Sequence, residues 1–211
     1  LTYFEKQEKL SVDRFIFPLI HFFDEDVPLV ADFSLDNNSL YLIGQNGSFV
    51  ILDVETLLPI YQNDFKKKTL DLVNLLEGIL LVFEDSLLIL KIRDAAIVID
   101  EETTRLITKA SKISKVRFHR NSGFLAIGFE GFKDQSSIIE IFKTGDVFEK
   151  FHTLETDELL LLDFSSEDED KLYLMYSDIV GKTEIFRIEH DQVIIESRSD
   201  IIWSTDGFLI S

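Results

Sequence analysis

Apolar positions in this chain fall into short runs of strand length, cut apart by clusters of Asp, Asn, Ser and Gly. From Val30 to Leu35 the alternation sets Val30, Asp32 and Ser34 against Ala31, Phe33 and Leu35, the period of two that marks a strand. Asp36-Asn37-Asn38 supplies a turn, because Asn and Asp tolerate left-handed backbone and bond their own main chain. Leu40 to Ile43 predicts a second strand and Phe49 to Val54 a third, antiparallel to it. Asn46-Gly47 between them suits a type I′ hairpin, which needs positive φ at both central residues. Leu57 to Tyr61 predicts a fourth strand.

The same order recurs downstream. Ile113 to Phe118, Phe124 to Gly128, Ile138 to Phe142 and Val147 to His152 predict one further set of four strands. Leu159 to Phe164, Lys171 to Tyr176, Glu184 to Ile188 and Val193 to Ser197 predict another, with a turn through Ser165 to Asp170. A weaker copy runs through Leu70 to Leu75, Ile79 to Phe83 and Leu87 to Ile92. Ala95 to Ser111 adds a strand-like Ala96 to Ile99 and a second run at Arg105 to Thr108, expected as outer strands of that copy or as a join across missing sequence. Ile201 to Ser204 and Phe208 to Ile210 open one more copy. Phe33-Ser34, Phe118-His119, Phe164-Ser165 and Trp203-Ser204 occupy equivalent places before a polar turn. Copies follow at roughly 40 to 46 residues, and a period near 40 to 45 with four strands per unit predicts propeller blades. Burial is the physical reason: one sheet exposes two apolar faces, and stacking on neighbours covers both.

The pattern F-S-x-D-x-x-x-L-Y-x-x-x-x-x-G-x-x-x-x-x-D, from Phe33 to Asp53, resembles the first three strands of a WD40-type β-propeller blade. Leu52-Asp53 stands where that family has Trp-Asp. There are departures: no Gly-His dipeptide separates the copies, and the Trp-Asp slot elsewhere reads Phe142-Lys143 and Arg187-Ile188. The family's Asp–His–Ser/Thr–Trp hydrogen-bond network is therefore not encoded, and the resemblance is to a divergent member. It covers about Val27 to the C-terminus and implies an all-β fold of four-stranded antiparallel blades. A closed propeller of about seven such blades needs nearer 300 residues. The chain is therefore expected to be part of a propeller, or one completed by missing sequence or a partner, and its start at Leu1 rather than Met is what an internal fragment or a processed form would show.

Residues 27–211 are accordingly expected to form the blades, and residues 1–26 a separate N-terminal segment. Within that segment Arg14 to Phe23 is apolar and aromatic, with Pro18 in its middle. Proline is tolerated in edge strands, so this stretch is expected to complete a blade. The alternative is a segment that docks on a partner through Phe15, Phe17, Phe22 and Phe23.

Charge narrows the partners. The formal net charge is −18, from 39 acidic and 21 basic residues among 211. That sign opposes phosphate-backbone binding by counterion release and docking on an anionic membrane, and it suits a basic protein surface. Lys66-Lys67-Lys68, a short basic cluster beside a turn signal, is expected to be a solvated loop. No apolar run reaches the roughly 18 residues of a spanning helix. The chain has no cysteine, which removes disulfides, thiolate metal sites and Cys nucleophiles together and fits a reducing compartment.

Chemistry-bearing motifs are sparse. His21, His119, His152 and His190 fall in different copies without metal-ligand or triad spacing. Gly44 to Gly47 is a hairpin rather than a strand-to-helix phosphate cradle, so neither a metal nor a cofactor is expected. Asn37 and Asn46 each begin an Asn-x-Ser tripeptide but sit where turns want Asn anyway. Ser165 and Ser166 precede the acidic run Glu167 to Asp170, which makes them candidate sites for an acid-directed kinase. Asp32, Glu77 and Asp163 lie near expected inner strands but form no catalytic pattern.

The resemblance implies a non-catalytic interaction scaffold, a propeller subunit of a larger eukaryotic intracellular assembly, nuclear or cytoplasmic, whose partners are other protein subunits. In that family such assemblies serve ribosome maturation, nuclear transport, vesicle coats, chromatin or RNA modification. The alternatives are a nucleic-acid- or ribonucleoprotein-associated propeller subunit and, further off, a propeller hydrolase.

Overall fold

The structure, a computed structural model, describes residues 23, 26–93, 96–107, 111–131, 136–145, 148–156, 159–168, 171–178, 183–189, 192–196, 201–204 and 207–210. Each repeat is a four-stranded antiparallel sheet with its strands in chain order. The first contains β1 (Pro28–Phe33), β2 (Ser39–Gly44), β3 (Ser48–Asp53) and β4 (Pro59–Asp64). The weak copy is also complete, as β5 (Thr69–Leu75), β6 (Gly78–Phe83), β7 (Leu87–Arg93) and β8 (Ala96–Ile99), followed by helix α1 (Glu101–Ile107). The third sheet is β9 (Ile113–His119), β10 (Phe124–Phe129), β11 (Ser137–Lys143) and β12 (Glu149–Thr156). The fourth is β13 (Leu159–Asp168), β14 (Lys171–Asp178), β15 (Thr183–Glu189) and β16 (Gln192–Glu196). A hairpin of β17 (Ile201–Ser204) and β18 (Gly207–Ile210) closes the order. The chain divides into two compact units, Leu1–Asn74 and Leu75–Ser211.

Burial distinguishes strands by their place in the sheet. Every residue of β10 is buried, as are Leu40 to Gly44 of β2 and Ile79 to Phe83 of β6. Successive side chains point to opposite faces, so an unbroken buried run means that both faces are covered. The strands at the sheet edges differ: β4 and β12 are exposed at most positions. In the first unit, Phe23, Leu40, Leu42, Val50 and Leu52 form a cluster on one face of the sheet. In the second, Phe124, Ala126, Ile139 and Ile141 of the third sheet meet Leu159, Leu172, Leu174 and Phe186 of the fourth. The two approach closely at Gly128, where an added Cβ would lie 2.3 Å from Leu159 Cδ2. Full burial of each such aliphatic or aromatic side chain contributes about 1.5–3 kcal/mol.

Local chemistry moves several elements from their expected places. The expected strand at Leu57 to Tyr61 begins instead at Pro59. Asp53 accepts bonds from the Thr56 amide and hydroxyl, both at 2.7 Å, and Leu57 turns the chain with φ 58°. The β2–β3 hairpin is not type I′, because only Gly47 has positive φ (99°) and Asn46 does not. Gly47 N–H donates to Gly44 O at 3.2 Å, so the loop is a three-residue turn ended by a left-handed glycine. At Asn37 the expected left-handed residue is present, with φ 59°. The run at Arg105 to Thr108, expected as strand, belongs to α1 through Ile107. Asp100 caps this helix by accepting from Thr103 N–H at 3.1 Å, and Glu101 and Glu102 favour its N-terminal dipole. The turn expected from Ser165 onward is strand as far as Asp168, with Ser165 opposite Tyr173 and Ser166 opposite Leu172.

Candidate interaction site

Two loops of the first unit build a concave surface at one end of its sheet. One is the β2–β3 hairpin; the other, Phe65 to Lys68, joins β4 to β5. They are zipped by main-chain bonds, Phe65 N–H to Gly47 O at 3.1 Å and Thr69 N–H to Gln45 O at 2.8 Å. Gly47 lets the backbones close up, since a Cβ there would sit 2.9 Å from both the amide nitrogen and the carbonyl oxygen of Lys67. Lys66 lies in the left-handed region at φ 53°, and its N–H donates to Asp64 Oδ1 at 3.0 Å.

Asp26 holds the hairpin from the other side. Its carboxylate accepts from Val27 N–H at 2.8 Å, Asn46 N–H at 2.9 Å and Ser48 N–H at 3.1 Å. Burial of this acid is offset by those three donors, as a buried charge requires. Gly44 is tied to the same feature, because a Cβ there would fall 2.2 Å from Asp26 Oδ2. The resulting cavity, about 400 Å³, is lined by Phe23, Asp26, Asn46, Ser48, Asp64 and Lys66 to Lys68. Lys66 and Lys68 are exposed and Lys67 half-buried. The expected solvated loop is thus one wall of a cavity, a placement invisible in sequence because the opposite wall begins about forty residues upstream, at Phe23 and Asp26.

Of the aromatic docking candidates, Phe23 is 6% exposed and belongs to the first sheet's core cluster while lining this cavity. Phe15, Phe17 and Phe22 lie outside the described residues. Ser165 is half-buried on β13 and Ser166 is its strand neighbour, while residues 169 and 170 lie outside the described residues.

Several of the remaining titratable candidates have local partners. His119 Nδ1 is 2.8 Å from Ser122 Oγ, and burial lowers the imidazole pKa below its ordinary value. His152 is exposed on β12, and His21 and His190 lie outside the described residues. Asp32 and Asp163 each accept from the amide of the next residue, at 2.8 and 2.9 Å, and Arg117 Nε lies 3.7 Å from Asp163. Glu77 is exposed. Ser34 and Asp36 form a turn network in the blade motif: Ser34 hydroxyl donates to Asp36 at 2.6 Å and accepts from Ser39 N–H at 2.9 Å. The Ser34 bond holds the Asp36 carboxyl below the usual carboxylate range. Among the described residues, no group of three or more His, Cys, Asp or Glu could hold a metal ion, and no helix is long and apolar enough to cross a membrane.

The sequence matches no protein-family model and no curated protein. Solved structures do match. The β-propeller domain of Myceliophteria thermophila Cps50 (Swd1) aligns with a TM-score of 0.53 at 10% identity, over 80% of this chain and 57% of that one. The WD40 domain of Toxoplasma gondii coronin aligns with 0.50 at 15% identity, over 82% and 46%. Dihydro-heme d1 dehydrogenase NirN aligns with 0.54 at 18% identity, over 80% and 36%. The chain therefore spans about half the length, or less, of these matches. At such identities the likeness speaks for fold alone. Together with four consecutive antiparallel sheets, it gives the chain the β-propeller fold, built of four-stranded blades.

Proposed function

We propose that the chain is a non-catalytic interaction module, a propeller subunit of a larger intracellular protein assembly. The supporting observation is the division of labour within the sheets: the middle strands are buried on both faces, which leaves the loops between strands to carry recognition. The cavity in the first unit is made of two such loops fixed to each other by main-chain bonds. In this reading residues 27–211 form the blade region, and residues 1–26 supply a segment that completes a blade. Phe23, packed in the first sheet's cluster, favours that role for the end of the segment. Phe15, Phe17 and Phe22 are the residues of the segment left to meet a partner.

The test is affinity purification of the native full-length protein, with mass spectrometry of what co-purifies and a native mass of the complex. A stable set of protein subunits is the expected result. A monomer that instead binds RNA or DNA in a salt-dependent manner overturns it in favour of the nucleic-acid reading.

A further inference from the structure

We infer that β4, the edge strand of the first sheet, is a docking edge for an extended segment of a partner protein, which adds to it as a further strand. An edge strand offers unpaired main-chain donors and acceptors, and proteins guard such edges with charged side chains, bulges or covering elements. The third sheet is guarded. Its edge strand β12 carries Glu149, Lys150 and Glu155, and Phe151, the residue left over by its register shift, packs against the core. In the second sheet Asp100 and α1 take up the main chain of β7, through Asp100 N–H to Ile89 O at 2.9 Å and Ile89 N–H to Thr104 Oγ1 at 3.1 Å.

The first sheet is guarded less. β4 carries no charge before its last residue, Asp64. Its register shift matches that of β12, but the residue left over, Ile60, is 52% exposed, and Leu58, just ahead of the strand, is 64% exposed. An added strand would cover that apolar surface while its main chain pairs with β4. Charge commits the partner further. Asp53 and the exposed Glu55 stand at the β3–β4 turn, and Lys66 to Lys68 follow the far end of β4. The complementary strand is therefore apolar, with basic residues at the end that meets Asp53 and Glu55, and the field of a −18 molecule favours it. A second copy of this chain would bring the same net charge and meet repulsion instead.

This inference rests on the interaction-module reading and names the kind of partner that one of its surfaces takes. Its test is fluorescence-polarisation titration of the full chain with short peptide pools in which valine alternates with degenerate polar residues and a lysine pair ends the chain. Lysine-ended peptides should bind at least about tenfold more tightly than glutamate-ended ones, and N-methylation of their amides should cost about tenfold or more. Bound peptide should slow amide hydrogen exchange within Pro59–Asp64 and leave Glu149–Thr156 unchanged. The variant I60K, which gives the edge a charge at an exposed position, should lose about tenfold or more of the binding while melting like the wild type. I60T, which keeps a β-branched side chain, should lose less. E155K on β12, a larger change in net charge, should lose nothing. Equal binding of lysine- and glutamate-ended peptides, indifference to N-methylation, protection outside β4, or an unaffected I60K variant each overturns the assignment. Failure of the interaction-module reading shows separately, as a wild-type protein without co-purifying subunits.

Discussion

Asp100 joins three duties in one carboxylate. It caps α1 through Thr103, receives the Thr103 hydroxyl at 2.8 Å and pairs with Lys91 at 2.9 Å. Burial raises its pKa, but the bonds from Lys91 and Thr103 outweigh burial and bring it down to about 2, from 3.8. The folded-state value is depressed, so this contribution is present above the unfolded pKa and is lost as pH falls through the folded one. Asp100→Asn keeps a capping side chain and removes the charge; it should cost on the order of 1–2 kcal/mol at pH 7. Urea melts between pH 5 and pH 2 should show the gap to wild type closing below about pH 4, and a pH-independent gap would refute the assignment. A second carboxylate, Glu140, is only 1% exposed on β11, and Lys150 on β12 reaches it at 2.5 Å. Lys150→Met should cost about 1–2 kcal/mol by removing a charged partner from a buried acid, whereas Glu149→Gln, on an exposed neighbour, should stay within about 0.5 kcal/mol.

Strands and their connections follow from turn chemistry as much as from hydrophobicity. Gly47 shows the coupling between neighbouring loops: its φ of 99° suits only glycine, and a Cβ would strike the Lys67 backbone. Gly47→Ala should therefore destabilise the first unit by about 1–3 kcal/mol and displace the lysine loop. Amide hydrogen exchange should report the displacement as lost protection at Phe65 and Thr69, the two donors of the zipper. Helix α1 illustrates a signal present but outweighed. Asp100 followed by two glutamates and Thr103 is an N-cap signature, yet the following Leu106 and Ile107 read equally well as strand. Packing on β7 favours the helix, where Ile89 N–H donates to Thr104 Oγ1 and Asp100 N–H to Ile89 O. Ser165 is the reverse case: its acidic successors suggested a turn, but pairing with Tyr173 extends the strand through it. Phosphorylation of Ser165 would need this end of the β13–β14 hairpin to open.

The charge of the molecule acts on every element at once. At −18 the folded chain repels itself, and added salt screens that repulsion within the Debye length. Calorimetry between about 20 and 300 mM sodium chloride should show the melting temperature rise by roughly 2–5 °C. A fall would mean that specific pairs such as Lys112–Glu84 and Lys91–Asp100 dominate instead. Far-ultraviolet circular dichroism should be strand-dominated, with α1 and its seven residues a minor component.

The repeat, the all-β class and the antiparallel order were legible along the chain, because each depends on local rules. Alternation marks half-buried strands, unbroken apolar runs such as Ile79 to Phe83 mark strands covered on both faces, and Asn-Asp-Gly clusters separate them. The completeness of the second sheet was harder to read because β8 is only four residues long and leads into a helix. The lysine cavity was not legible at all. Its walls come from residues separated by some forty positions, Asp26 at one side and Lys66 at the other, and main-chain bonds specific to no residue type join the loops between them. Such bonds leave no mark in the order of side chains, so local pattern can specify the strands while the meeting of their loops arises only on folding.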